Sequence, residues 1–192
     1  MEIRTFDPRL DAETAVARAD RITIGTFLRA RAAALLGISE EPLDVSIVYY
    51  PDYIAFTTVE LYHYLTSDRT QKFLVGIDAV TGRVGEIDIE LPSRNTVEAD
   101  PDKVIARELT PDEAREEWKD WLFSYVDRRF RPFKRPDFSL DELELIYVPY
   151  WVVDYGTVAN SFAVSGLTKQ VEELVSLKPI KGYYEEVYQE KY

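Results

Sequence analysis

Residues Leu143 to Tyr155 read L-E-L-I-Y-V-P-Y-W-V-V-D-Y, the most apolar and aromatic run of the chain, with Pro149 at its middle. β-branched and aromatic residues fit a pleated, half-buried surface, so this run predicts a strand. A weaker echo lies earlier, from Val45 to Phe56, V-S-I-V-Y-Y-P-D-Y-I-A-F. With Pro51 aligned on Pro149, Val45 falls on Leu143, Ile47 on Leu145, Tyr49 on Tyr147 and Tyr53 on Trp151. The reading that follows is two copies of one unit, each organised around such a strand. It speaks to architecture and leaves chemistry almost untouched.

Outward from these strands, the chain before each is helical in character. Val16, Ala19, Ile22, Phe27, Leu28 and Leu35 give an imperfect helical period over Asp11–Leu36, with Gly37 placed as a C-terminal cap. The second helix has a sharper start, Thr110-Pro111-Asp112-Glu113, which offers an N-cap, a proline at the first position and a capping-box Glu. Ala114, Trp118, Trp121, Leu122, Tyr125 and Val126 then share a face, and Pro132 ends the helix. Glu2–Phe6 reads as a short edge strand, and Pro51-Asp52 either as a tight turn or as a kink in a longer edge strand.

After each organising strand comes a hairpin signal. Phe73–Ile89, F-L-V-G-I-D-A-V-T-G-R-V-G-E-I-D-I, places two β runs around Thr81-Gly82, and Gly82 can supply a positive φ. The later V-S-G-L-T-K-Q-V-E-E-L matches it with one residue deleted, setting Thr168 on Thr81 and Val171 on Val84. That stretch, 165–177, also suits a short helix capped by Thr168, and periodicity over so few residues leaves both open. Leu91–Arg107 is polar, holds Pro92 and Pro101, and reads as a linker. The expected organisation is α+β: residues 1–92 and 110–192 as two repeated helix-plus-antiparallel-sheet units packed together, joined by 93–109.

Composition bounds the function. The chain has 192 residues, 46% hydrophobic and 30% charged, with a net charge of −12. The pI of 4.6 argues against nucleic acid or an anionic membrane as partner, since both demand a basic footprint. Without Cys there is no disulfide, thiolate catalysis or Cys-based metal site. The N-terminus lacks a basic start followed by an apolar core, and no apolar run approaches a membrane span, so the expectation is a soluble cytoplasmic protein without membrane insertion.

The residues Asp78, Thr81, Gly82 and Val84 within the first hairpin resemble the signature of the PepSY family and its cystatin-like relatives. The resemblance covers the first half mainly. In the second half Lys169 stands at the Gly82 position and Ser165 at the Asp78 position. It implies tandem helix-plus-sheet modules in which these residues shape the turn, in a non-catalytic role that includes regulating a protease or binding at a cell surface.

Catalytic constellations are sparse. His63 is the single histidine and lies in V-E-L-Y-H-Y-L, where alternation makes it a surface or cross-strand residue rather than a general base. Asp52, Asp78 and Asp154 sit at or near strand ends and are the acid candidates for a carbohydrate-binding or hydrolytic site. Asp100-Pro101-Asp102 lacks the spaced ligands of a calcium loop. No phosphate-binding glycine loop, G-x-S-x-G or H-E-x-x-H occurs. Trp118 and Trp121 read as core residues. Tyr50, Tyr53, Tyr150, Trp151 and Tyr155 flank the two prolines and are the candidate interaction residues, Tyr and Trp being enriched at interfaces. The sequence thus favours a non-enzymatic protein-interaction module that needs no cofactor or metal and takes a protein partner or a second copy. A carboxylate-lined ligand-binding face and a structural subunit of a larger assembly are the alternatives.

Overall fold

A computed structural model of the chain describes residues 1–25, 42–62 and 69–189, and the fold over them is mixed α+β. Strands β1 (Glu2–Phe6), β2 (Asp44–Leu61), β3 (Arg69–Asp78), β4 (Val84–Glu86), β5 (Arg94–Glu98), β6 (Asp137–Asp154), β7 (Phe162–Ser165) and β8 (Val171–Glu173) belong to one sheet. Its order is β4-β3-β2-β6-β1-β5, with β7 on β6 and β8 on β7. Three helices accompany it among the described residues: α1 (Ala12–Gly25), α2 (Pro111–Phe130) and α3 (Lys178–Gln189). Phe27, Leu28, Leu35, the Gly37 cap and His63 lie outside the described residues.

Both organising strands run unbroken through their prolines, which answers the turn-or-kink alternative at Pro51 in favour of one long strand. Neither is an edge strand. A proline is tolerable here because of where it falls. The N–H and C=O of one strand residue point to the same side, and at Pro51 that side faces Ala79, just past the end of the β3 ladder. The Ala79 carbonyl, which lacks a donor at Pro51, accepts the Glu108 and Leu109 N–H groups, and the Gly166 carbonyl opposite Pro149 accepts the Arg9 N–H. The Pro51 carbonyl accepts the Ala79 N–H at 3.1 Å, and the Pro149 carbonyl accepts the Gly166 N–H at 2.8 Å. β1 is likewise internal, pairing with β5 antiparallel and meeting β6 at Thr5↔Tyr147.

The chain forms two compact units, and neither is a continuous half. One comprises Met1–Tyr50, Leu91–Ile105 and Tyr147–Tyr192; the other comprises Pro51–Glu90 and Ala106–Ile146. This differs from the expected division into 1–92 and 110–192. The expected linker 93–109 is also structured: Arg94–Glu98 is β5, and Pro101–Lys103 is a single 3-10 turn.

In the unit built on 51–90 and 106–146, α2 starts on the capping box read from the sequence, with Thr110 Oγ1 accepting the Glu113 N–H and Glu113 accepting the Thr110 N–H. Ala114, Trp118, Leu122 and Val126 are its buried stripe. They pack on Tyr53, Ala55, Val59, Leu61, Val75 and Ile77. Trp118 Nε1 donates to the buried Thr57 hydroxyl at 2.8 Å, satisfying the indole where it is sealed from water. In the other unit, α1 buries Ala15 and Ala19 on Val153, Phe162 and Val164. The small alanines let this helix lie close to its strands.

The stretch 165–177 is a hairpin followed by one 3-10 turn, Leu174–Ser176, rather than a helix. It carries no deletion relative to the first hairpin: Ile77 pairs with Val84, and Val164 with Val171. The two turns make the same bonds. Asp78 Oδ1 accepts from the Val80 and Thr81 N–H groups, and Ser165 Oγ from Leu167 and Thr168. Gly82 takes φ 72°, and Lys169 takes φ 62° in the same seat.

Correspondence extends beyond the turns. Tyr53 faces Ile77 across the ladder as Trp151 faces Val164. The Tyr53 hydroxyl donates to the Leu109 carbonyl at 3.1 Å, and Trp151 Nε1 donates to the Leu10 carbonyl at 3.2 Å. In each case the acceptor directly precedes a helix N-cap, Thr110 or Asp11; Asp11 Oδ1 accepts the Thr14 N–H. The Ala79 carbonyl accepts from Leu109, and the Gly166 carbonyl from Arg9.

Candidate functional site

The five aromatic interaction candidates are occupied with packing. Tyr53 is buried, its hydroxyl also accepting from Arg107 at 2.9 Å. Tyr50 is buried against the half-buried Tyr150, ring centroids 6.0 Å apart and edge-on. Trp151 and Tyr155 are half-buried in the α1 core; the Tyr155 hydroxyl is bonded to Asp20, and its ring meets Phe162 edge-on. These residues do not form an open docking face. The reason is physical: in strands flanked by helices, the side chains that alternate inward are the large aromatics, and they fill cores before they are free for partners.

The acid candidates separate in the same way. Asp154 is buried and belongs to turn closure, its Oδ1 accepting Ser161 Oγ at 2.9 Å and the Gly156 N–H at 2.7 Å. Asp78 closes the first hairpin turn, with Thr81 Oγ1 donating to its Oδ2 at 2.5 Å. Asp52 lies directly opposite Asp78 in the β2–β3 register. Burial, with the Asp78 charge adding to it, pushes the Asp52 carboxyl up to about 8. Two of the three candidates are thus brought together, one in the neutral form near pH 7 and the other engaged in a turn. Asp154 belongs to the other unit. Among the described residues no group of three His, Cys, Asp or Glu could hold a metal, and no helix is long and apolar enough to cross a membrane.

A different surface, which the sequence reading passed over, stands at the C-terminal end of α2. The run Arg128-Arg129-Phe130-Arg131-Pro132-Phe133-Lys134-Arg135 carries five cations and no acid. Arg131 takes a left-handed conformation that ends the helix, with its N–H donating to the Asp127 carbonyl. The Phe133 N–H then donates to the Tyr62 carbonyl at 3.1 Å, and the Tyr62 hydroxyl to Asp137 at 2.6 Å. The Asp137 carboxylate bonded to it holds the Tyr62 phenol up to about 12, so that it remains a donor. These bonds fix the turn and turn Phe133 outward, 62% exposed.

Phe123, 43% exposed, lies edge-on to Phe138, and the Arg135 guanidinium stands 5.2 Å from its ring centre. A shallow cavity of about 200 Å³ is lined by Phe123, Asp127, Pro132, Phe133, Lys134, Arg135 and Pro136. All five cations are exposed. The ion pairs among the described residues are Arg115–Asp112 and Lys181–Glu185, and none of the five takes part in one. The signal that finds this site is charge read in a short window instead of summed over the chain.

No protein-family model matches the sequence, and neither a curated protein nor a solved structure resembles it significantly.

Proposed function

We propose that the protein is a non-catalytic interaction module that binds another protein through the cationic aromatic surface at the end of α2. One observation carries the reading: two exposed phenyl rings, Phe123 and Phe133, line a cavity with Lys134 and Arg135, within a run of five exposed cations that enter no ion pair among the described residues, in a chain with 35 acidic residues. Single exposed apolar residues need no explanation, but clustered rings interleaved with unneutralised charge mark a contact surface. The scaffold behind it is two copies of one helix-plus-sheet unit of PepSY-like or cystatin-like type. The matched turns, the matched proline carbonyls and the paired Tyr53 and Trp151 bonds support that duplication. Site-specific photo-crosslinking in extract of the source cells tests the function. A crosslinker at position 133 is expected to yield a discrete protein adduct that one at exposed Glu172 does not, and that disappears in a Lys134→Glu/Arg135→Glu background. Indistinguishable adducts from both positions would remove the assignment.

A further inference from the structure

We infer that this surface receives a short acidic segment of a partner protein, one with a single aromatic or aliphatic residue that seats between Phe123 and Phe133. The inference rests on the interaction reading above and specifies the partner. Charge selects the sign. Residues 127–137 set five cations against Asp127 and Asp137, a local charge of +3 that leaves −15 on the rest of the chain, so the surface is a local positive island on an acidic protein. Electrostatic attraction there is short-ranged, because the Debye length is about 8 Å at physiological ionic strength. A long polyanion or an anionic bilayer extends well past that distance and meets the acidic remainder. A short acidic segment does not.

Cavity size selects the anchor. Small-molecule sites run about 300–1,000 Å³. The cavity here, about 200 Å³, suits one large side chain. Phe123, Pro132, Phe133 and Pro136 give it apolar walls, and its charged lining residues are Asp127, Lys134 and Arg135. The seated residue is apolar to match the four apolar walls, and the acids flank it to meet the two cations. The Arg135 guanidinium stands over the Phe123 ring, and its N–H groups can donate to a carboxylate in bidentate fashion.

The test uses the full chain and four fluorescent probes: a Glu/Ser peptide with a central Phe, the same peptide with Ser for Phe, oligo-dT, and phosphatidylserine vesicles. The Phe peptide is expected to bind best, with affinity falling as salt rises. Replacing its Phe is expected to cost about tenfold, the burial of one aromatic side chain. Lys134→Glu/Arg135→Glu is expected to cost about tenfold or more. Phe133→Ser, which keeps every charge, is expected to abolish the preference for the Phe peptide. Thermal unfolding confirms that each variant is folded. Equal binding of the two peptides by the unsubstituted chain overturns the anchored segment. Tighter binding of oligo-dT or vesicles, lost on charge reversal, overturns the acidic-peptide assignment yet keeps this surface as the interaction site. Binding that charge reversal leaves unchanged, or none at all, overturns both.

Discussion

Replacing Asp52 by Asn is predicted to stabilise the protein, and to do so only where pH makes the native carboxyl costly. The ordinary carboxyl value of 3.8 rises to about 8 in the fold. Between those values the folded state holds a proton that the unfolded chain has released, so folding takes up a proton. Stability is therefore full below the unfolded value and is lost as pH rises toward the folded one. At about 1.4 kcal/mol per pH unit, a fully sealed group would cost about 4 kcal/mol at pH 7. Asp52 is half-buried, so solvent screens part of this, and we set the effect at about 2 kcal/mol. Asn is isosteric, always neutral, and able to donate toward Asp78 across the ladder. Urea unfolding of the two proteins should agree near pH 4 and diverge to about 2 kcal/mol near pH 8. In a chain of this size that corresponds to roughly 6 °C in Tm. A variant that gains nothing at pH 8, or that differs from the parent equally at both pH values, refutes the reasoning.

The matched turns give a reciprocal pair. Lys169 holds a left-handed seat at φ 62°, so Lys169→Gly should gain about 1 kcal/mol, whereas Gly82→Lys, from φ 72°, should lose about 1–2 kcal/mol in chemical denaturation. Gly166→Ala should lose about 1–3 kcal/mol, because its Cβ would stand 2.7 Å from the Pro149 carbonyl oxygen and 2.9 Å from its ring; retained Tm would contradict that close approach. Leu122→Ala removes a fully buried side chain from the α2 core and should cost about 3–4 kcal/mol by urea midpoint at unchanged slope.

How much of this was legible depended on whether the cause was local. The α2 start needed only Thr110, Pro111 and Glu113, all within one turn, and it was read correctly. Thr81-Gly82 was legible because a glycine advertises positive φ. The second turn was ambiguous because Lys169 fills that seat without advertising it, and the decisive acceptor, Ser165 Oγ, is an ordinary residue in sequence. β5 was misread as linker because its partner, β1, is the N-terminal strand, far from it in sequence, and two prolines and polar residues outweighed any local strand signal. The packing of the aromatic candidates was hidden for a related reason. Their alternation was right, but burial of both sheet faces cannot be seen in one strand. The cationic run was visible all along and was hidden by summing charge over a strongly acidic chain.

The same non-local logic explains why the sequence halves and the compact units differ. α1 belongs to the first half of the chain, yet its Ala15 and Ala19 pack on Phe162 and Val164 of the second hairpin. α2 belongs to the second half, yet Trp118 and Leu122 pack on Tyr53, Val75 and Ile77 of the first. Each unit draws its helix from one half and its hairpin from the other. A helix of 14 residues such as α1 is marginal in isolation even with its alanines and depends on a tertiary surface to persist. Here that surface is supplied by residues well over a hundred positions away, so neither half holds a completed core. Folding to either core requires closure of a long chain loop first, which raises contact order and ties both halves to one another. Helices and hairpins exchanged in this way leave the likeness of the two long strands visible and conceal the compact units wherever the chain is cut at a linker.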